Sequence, residues 1–166
     1  MSISTWIFER RRHAGAVVKV KQPILPPVYL LGALLLMIAL WVCSPGPRVI
    51  AVPWNLFGVA LAVLGLGLNA VGDRQFQRAK TTMNPFGKPR VLVTTGVFRY
   101  SRHPMYLGMV VLTIGLAIFI GYATPFAGAA LWAVLNYRFI PHEEHALSAS
   151  FGQQYERYRT STRRWL

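Results

Sequence analysis

Cysteine occurs once, at Cys43, so the chain can hold neither an intrachain disulfide nor a metal site built from cysteines. Histidine is scarce too, at positions 13, 103, 142 and 145. The stretch HEEH, residues 142–145, sets two histidines beside two carboxylates. It is not H-E-x-x-H, and a di-metal membrane oxygenase needs several more histidines than remain. No metal is expected, and His142 and His145 read as interfacial polar residues. Charge is thin at 14% of residues, where a soluble domain carries about a quarter. That shortage, against 54% hydrophobic residues, points to a membrane protein.

What is abundant is long apolar sequence. Residues 24–43 and 49–71 carry no ionisable group except the Cys43 thiol, and residues 105–122 and 123–140 add two shorter runs. Each is long enough to cross a hydrocarbon layer of roughly 30 Å as a helix. None alternates apolar and polar residues, as a membrane β-barrel strand must. Residues 1–22 are polar and basic, and no cleavable signal peptide is evident. The net charge of +13 invites a nucleic-acid reading, but 17 of the 18 basic residues fall in alternate segments, which a four-span arrangement puts on one side. That is the positive-inside pattern, with both termini cytoplasmic. The expected fold is therefore an all-α membrane protein: a single domain over residues 1–166, with four spans as two hairpins, a cytoplasmic loop and a C-terminal interfacial helix. Membrane lipids are expected partners and nucleic acid is not. The expected setting is a multi-pass position in a cytoplasmic membrane such as that of a bacterium.

Small residues at Gly58, Ala62 and Gly65 in the second span, and at Gly108 and Gly115 in the third, favour close helix approach. SPGPR, residues 44–48, joins the first two spans as a tight turn. Thr124 is a candidate cap ahead of Pro125 at the start of the fourth span. Asn55, Asn69 and Asn136 read as hydrogen-bonding residues between helices. GLGLNA, residues 65–70, imitates a dinucleotide fingerprint but lies inside an apolar span with no strand before it, and is rejected.

The polar chemistry gathers in the loop of residues 72–103 and the tail of residues 141–166. GVFRYSRHPMYLG, residues 96–108, crowds Arg99, Arg102 and His103 against an uncharged run. Pro104 suits the first turn of the third span, and His103 and Tyr106 share a face. Such a stretch suits a ligand bearing a carboxylate and a flat ring, and it equally suits a helix anchor at the membrane surface. In an anchor, Arg102 is replaceable by lysine. In the tail, Glu143, Leu147, Phe151, Tyr155 and Tyr158 form one stripe if the segment is a single helix. Glu143 then heads the buried stripe and requires a cation, the candidates being Arg138, a bound ligand and the basic loop, while Glu144 points about 100° away toward solvent.

GVFRYSRHPMYLG resembles the R-H-P-x-Y-x-G signature of the integral-membrane methyltransferases, the isoprenylcysteine carboxyl methyltransferase and phospholipid N-methyltransferase group. The match extends upstream through TTMNPFGKPRVLVTTG and downstream to EEHALSASFGQQYERYRTSTRRW, which resembles the family's acidic pair, F-G-x-x-Y-x-x-Y pattern and terminal Arg-Trp. It covers residues 81–165, the expected cofactor-binding half. The resemblance implies that this half encloses S-adenosylmethionine. It implies a backbone-lined cofactor stretch at Arg90, Val91, Leu92 and Val93. Further cofactor contacts are implied at Phe98, Arg102, His103, Pro104, Met105, Tyr106, Gly108 and Glu143. His103, Glu143 and Glu144 are the implied catalytic residues, and Arg138, Tyr155 and Tyr158 the candidates for substrate contact. The isoprenylcysteine branch carries an arginine four residues before its acidic pair, where this chain has Phe139, with Arg138 one place off.

The expected reaction is methyl transfer to a lipophilic small molecule or prenylated substrate at the cytoplasmic membrane face. A sulfonium cofactor calls for a carboxylate and for aromatic faces. A carboxylate acceptor arrives ionised, whereas an amine must first lose a proton, to His103 or Glu144. The closest counterpart is isoprenylcysteine carboxyl O-methyl transfer, and phospholipid N-methyl transfer is the first alternative. An NADPH-dependent sterol reductase-like protein and a non-catalytic membrane assembly factor stand as further alternatives.

Overall fold

The computed structural model describes residues 25–43, 49–80, 91–121 and 125–166, and these contain helices and no strand. The basic N-terminal segment, the SPGPR turn, Arg90 and Thr124 lie outside the described residues. Helix α1 runs over Pro26–Cys43 and α2 over Leu56–Arg78. A single 3-10 turn at Gly96–Arg99 leads to α3, Pro104–Ile120. Helix α4, Pro125–Val134, passes through a π turn at Leu135–Phe139 into α5, Ile140–Phe151, and α6 follows over Gln153–Ser161. Among the described residues α1 and α2, of 18 and 23 residues, are long and apolar enough to cross a membrane, and α3 is a shorter apolar helix of 17.

The second apolar run does not become a helix from its start. Pro53 offers no N–H to a helical ladder, and residues 52–55 form turns before α2 begins at Leu56. At its other end α2 continues seven residues past the apolar run, to Arg78. That extension carries Gln75 and Phe76 to the segment holding the 3-10 turn.

Helices α2 and α3 pack backbone to backbone. A Cβ added at Gly58 would collide with the backbone of Gly115 and Phe119, and one added at Gly65 with that of Gly108 and Leu112. Apolar side chains gain little by leaving lipid, so close van der Waals approach over small residues has to hold such a pair together. Asn55 crosses the same interface, its Nδ2 donating to the Phe119 carbonyl at 3.2 Å. Asn69 instead donates to Gly65 of its own helix at 2.9 Å. Gly65→Val is expected to lower stability by about 3 kcal/mol, because backbone cannot move aside as a rotamer can. A Cβ at Gly67 meets nothing within 4 Å, so Gly67→Val should change stability by under about 0.5 kcal/mol. Thermal unfolding in detergent measures both.

The fourth apolar run and the start of the tail form one rod. Pro141 cannot donate to the preceding turn, and the ladder widens there, with the Ile140 N–H bonded to the Leu135 carbonyl. The apolar core meets this rod where Tyr106, Met109 and Val110 of α3 pack with Leu131, Leu135, Phe139 and Ile140. The tail beyond is not the single helix its spacing suggests. Gly152, at φ +50, breaks it, and the stripe from Glu143 to Tyr158 is divided between α5 and α6. Ser148 Oγ donates to Glu156 Oε1 at 3.1 Å across that corner.

Candidate functional site

The site is built around residues 96–106. Gly96 sits at φ +62, a conformation that favours glycine, and a Cβ there would displace the Gln75 amide. With its amide nitrogen toward Thr95, Gln75 donates to the Thr95 carbonyl at 3.0 Å and accepts from the Val97 N–H at 3.2 Å. The 3-10 turn then presents the buried Phe98 ring edge-on to Phe76, centroids 5.1 Å apart. His103 is the residue before α3, and Pro104 begins the helix. The His103 ring stacks on Tyr106, centroids 5.6 Å apart and planes 7° from parallel.

The tail folds back over this segment and is tied to it largely through backbone. Tyr158 Oη donates to the Phe98 carbonyl at 2.6 Å, and Ser101 Oγ donates to the Arg164 carbonyl at 3.2 Å. The Arg102 N–H donates to the Arg163 carbonyl at 2.9 Å. The Arg102 side chain donates from Nη1 to the carbonyls of Arg159 at 2.8 Å and Thr162 at 3.0 Å. Its Nη2 donates to Glu144 Oε1 at 2.8 Å.

Glu144, expected in solvent, is the better buried of the acidic pair, its side chain 12% exposed against 26% for Glu143. Arg164 completes its shell, donating from Nη2 to Oε2 at 2.6 Å and from Nε to Oε1 at 3.3 Å. The cations beside the acidic pair are thus Arg102 and Arg164. Arg138, the candidate partner, lies exposed in the π turn and pairs with neither carboxylate. Burial works against charge on Glu144, but His103, Arg164 and Arg102 outweigh it and hold its pKa down to about 2 from an ordinary 4.5.

His103 lies between the two carboxylates, 3.6 Å from Glu143 Oε2 and 3.5 Å from Glu144 Oε1. Both contacts are ion-pair distances, longer than well-formed hydrogen bonds. Burial alone disfavours the imidazolium, yet Glu143 and then Glu144 outweigh burial and raise the pKa above its ordinary 6.5. Burial, with Glu144 next, pushes the Tyr155 hydroxyl up to about 12, and burial raises Tyr158 as well.

These groups surround a cavity of about 410 Å³. Arg102, His103, Pro104, Met105, Tyr106 and Glu143 line it together with Phe98, as do Phe76, Met109 and residues Leu25, Pro26 and Pro27 at the head of α1. Its apolar walls therefore carry a small polar patch on one side. Glu143 Oε2 and Arg102 Nε are buried there and have no hydrogen-bond partner among the described residues. Among the described residues Oε2 has only the long ion-pair contact to His103. A buried carboxylate oxygen short of a hydrogen bond is costly, and a ligand ammonium would satisfy it.

Other expected site residues are placed elsewhere. Val91, Leu92 and Val93 run irregularly ahead of the turn and do not line the cavity. Gly108 packs on Gly65 and Asn69, as a helix contact and not a cavity wall. Tyr155 is buried between tail and loop, its hydroxyl unpartnered among the described residues, and Tyr158 binds the loop backbone. Arg164, Phe76, Met109 and the α1 residues escaped sequence reasoning. Arg164 had a signal in the terminal Arg-Trp pair. Trp165 beside it donates from Nε1 to Asn136 Oδ1 at 3.1 Å, so Asn136 does bridge elements. The α1 residues had none, because their contact with the site is long-range.

Comparison with known proteins bears on the family and the fold. Protein-S-isoprenylcysteine O-methyltransferase B of Arabidopsis thaliana is 32% identical over 108 residues, covering 61% of this chain and 53% of the relative. Protein-S-isoprenylcysteine O-methyltransferase A of the same plant is 39% identical over 74 residues, or 42% of this chain and 36% of the relative. The chain thus spans about half the length of these relatives, or less. A solved structure of the eukaryotic intramembrane Ras methyltransferase ICMT superposes with a TM-score of 0.59. At 24% identity, over 82% of this chain and 50% of that one, it shows a shared fold. The family model for phospholipid methyltransferases matches residues 54–154, more than half of the chain, which therefore belongs to that family.

Proposed function

We propose that this chain is a four-span, S-adenosylmethionine-dependent methyltransferase of one domain, acting on a lipophilic acceptor at the cytoplasmic membrane face. The observation that carries the reading is the buried Glu143 Oε2, which accepts no hydrogen bond among the described residues and sits in a largely apolar cavity beside the stacked His103 and Tyr106 rings. When bound, S-adenosylmethionine supplies a methyl group activated by a sulfonium. Glu143 would hold its ammonium, and the Tyr106 ring would offer an electron-rich face to cationic charge. Phe98, Met105 and Met109 exclude water from the reacting atoms.

Proton bookkeeping favours a carboxylate acceptor of the prenylcysteine kind. Glu144 is held ionised by two guanidiniums and is a poor base, and the two carboxylates shift His103 toward its protonated form. An acceptor that arrives ionised needs neither. One observation favours a phospholipid amine instead. Buried Phe139, packed edge-on against Tyr29 at 5.1 Å, stands where the isoprenylcysteine branch has its arginine. An amine would need a proton acceptor as well, and His103 and Glu143 both line the cavity.

Calorimetry in detergent tests the cofactor. S-adenosylhomocysteine should bind the native chain, with affinity falling at least tenfold in Glu143→Ala. Binding of NADPH in its place would overturn the reading. Transfer of a radioactive methyl group to farnesylated cysteine, compared with phosphatidylethanolamine, identifies the acceptor.

A further inference from the structure

Helix α6 contributes no residue to the cavity lining. Together with the loop it forms an open depression of about 800 Å³ that shares no lining residue with the cavity. Thr94 and Arg99 form one side. Gln153, Gln154, Arg157 and Ser161 of α6, spaced along one helical face, form the other. The lining holds two guanidiniums and no carboxylate. Among the described residues neither Arg99 nor Arg157 has an acidic partner within 4.0 Å, and Glu156, the only carboxylate on α6, is turned to Arg159 and Ser148. The remaining lining side chains offer hydroxyl and amide donors. A surface of this kind fits an oxyanion, and guanidiniums bind phosphate oxygens bidentately.

We propose that this depression binds the phosphate of an anionic phospholipid headgroup, a site that goes beyond the methyl-transfer reading. Arg99 stands five residues before Pro104, where the apolar helix α3 begins, so the depression lies beside the end of a candidate span. Juxtamembrane arginines contribute there at about 1 kcal/mol each. Tyr158 joins the two sites, since it lines the depression while its hydroxyl holds the Phe98 carbonyl behind the cavity. A headgroup bound there would seat the tail on the loop.

The test titrates the full chain in detergent with phosphatidylglycerol, phosphatidylcholine and soluble glycerol phosphate, counting bound molecules by native mass spectrometry. Saturable binding of about one phosphatidylglycerol is expected, weakened about thirty-fold in Arg99→Gln/Arg157→Gln and less than threefold in the charge-matched Arg74→Gln/Arg78→Gln. Should the first variant misfold, Arg99→Lys/Arg157→Lys keeps the charge and should still lose about tenfold with the bidentate geometry. Equal loss in the two charge-matched pairs would overturn the proposal as diffuse electrostatics. Glycerol phosphate binding as tightly as the lipid, or an acidic peptide displacing it, would overturn the lipid assignment. Methyl transfer is not read, so failure here leaves the proposed activity standing.

Discussion

Glu144→Ala is expected to destabilise the folded chain by about 3–5 kcal/mol and to release the segment after Gly152 from the loop. The carboxylate is the one anion shared by Arg102 and Arg164, at 2.8 and 2.6 Å, with His103 at 3.5 Å. Deleting it leaves the Arg102 guanidinium, 9% exposed, without its counter-charge. Removing one partner of a buried pair costs far more than the pair contributes over an apolar replacement. Amide hydrogen exchange should show the change locally. Protection should fall over residues 153–165 and persist in α2 and α3, whose contact rests on glycine and not on charge. If exchange in the tail is unaltered, the ion cluster does not hold it.

The same cluster sets a pH dependence with two limbs. Glu144 is ionised more readily folded than unfolded, so its contribution is complete above its ordinary 4.5 and is lost as pH falls toward about 2. His103 is the opposite case. Its raised value means that its contribution is complete below 6.5 and is lost as pH rises through the folded value. Unfolding temperature in detergent should therefore decline toward both ends. Glu144→Gln should flatten the acid limb, and His103→Gln the alkaline one.

The loop wall of the site was legible in sequence because its chemistry is local. Arg102, His103, Pro104 and Tyr106 lie within five residues, and Pro104 fixes where the helix starts, so the shared face of His103 and Tyr106 follows from helical geometry. The tail was legible only as residue types. A helical wheel drawn through residues 143–158 treats the segment as one rod, and the positive φ of Gly152 invalidates it. Glu144 is buried because the chain returns over it after α6, bringing Arg164, and no periodicity in α5 records that return. The forward extension of the fourth run into α5 was hidden for a different reason. The apolar run ends at residue 140 and the polar tail begins at Pro141, whereas the π turn lets the helix pass through that proline.

Arg102→Lys is expected to behave as a severe substitution, and it separates an anchor from a clamp. An anchor needs one positive charge at the membrane surface, which lysine supplies. The guanidinium here makes three directed contacts at once, to Glu144 and to the carbonyls of Arg159 and Thr162, between 2.8 and 3.0 Å. An ammonium is a compact donor on a flexible stem, and it cannot reach a carboxylate and two carbonyls in those directions together. Two lost bonds from a charged donor, at about 1.5–3 kcal/mol each, put the expected loss near 3 kcal/mol or more. His103→Ala should behave differently. It removes the ring stacked on Tyr106 in the cavity and leaves every backbone tie between tail and loop in place. The two variants should therefore part in paired measurements, with Arg102→Lys losing unfolding temperature and tail protection, and His103→Ala losing cofactor-product affinity with the tail still docked. Membrane insertion should be normal in both. If Arg102→Lys keeps native stability and affinity, the residue serves topology alone.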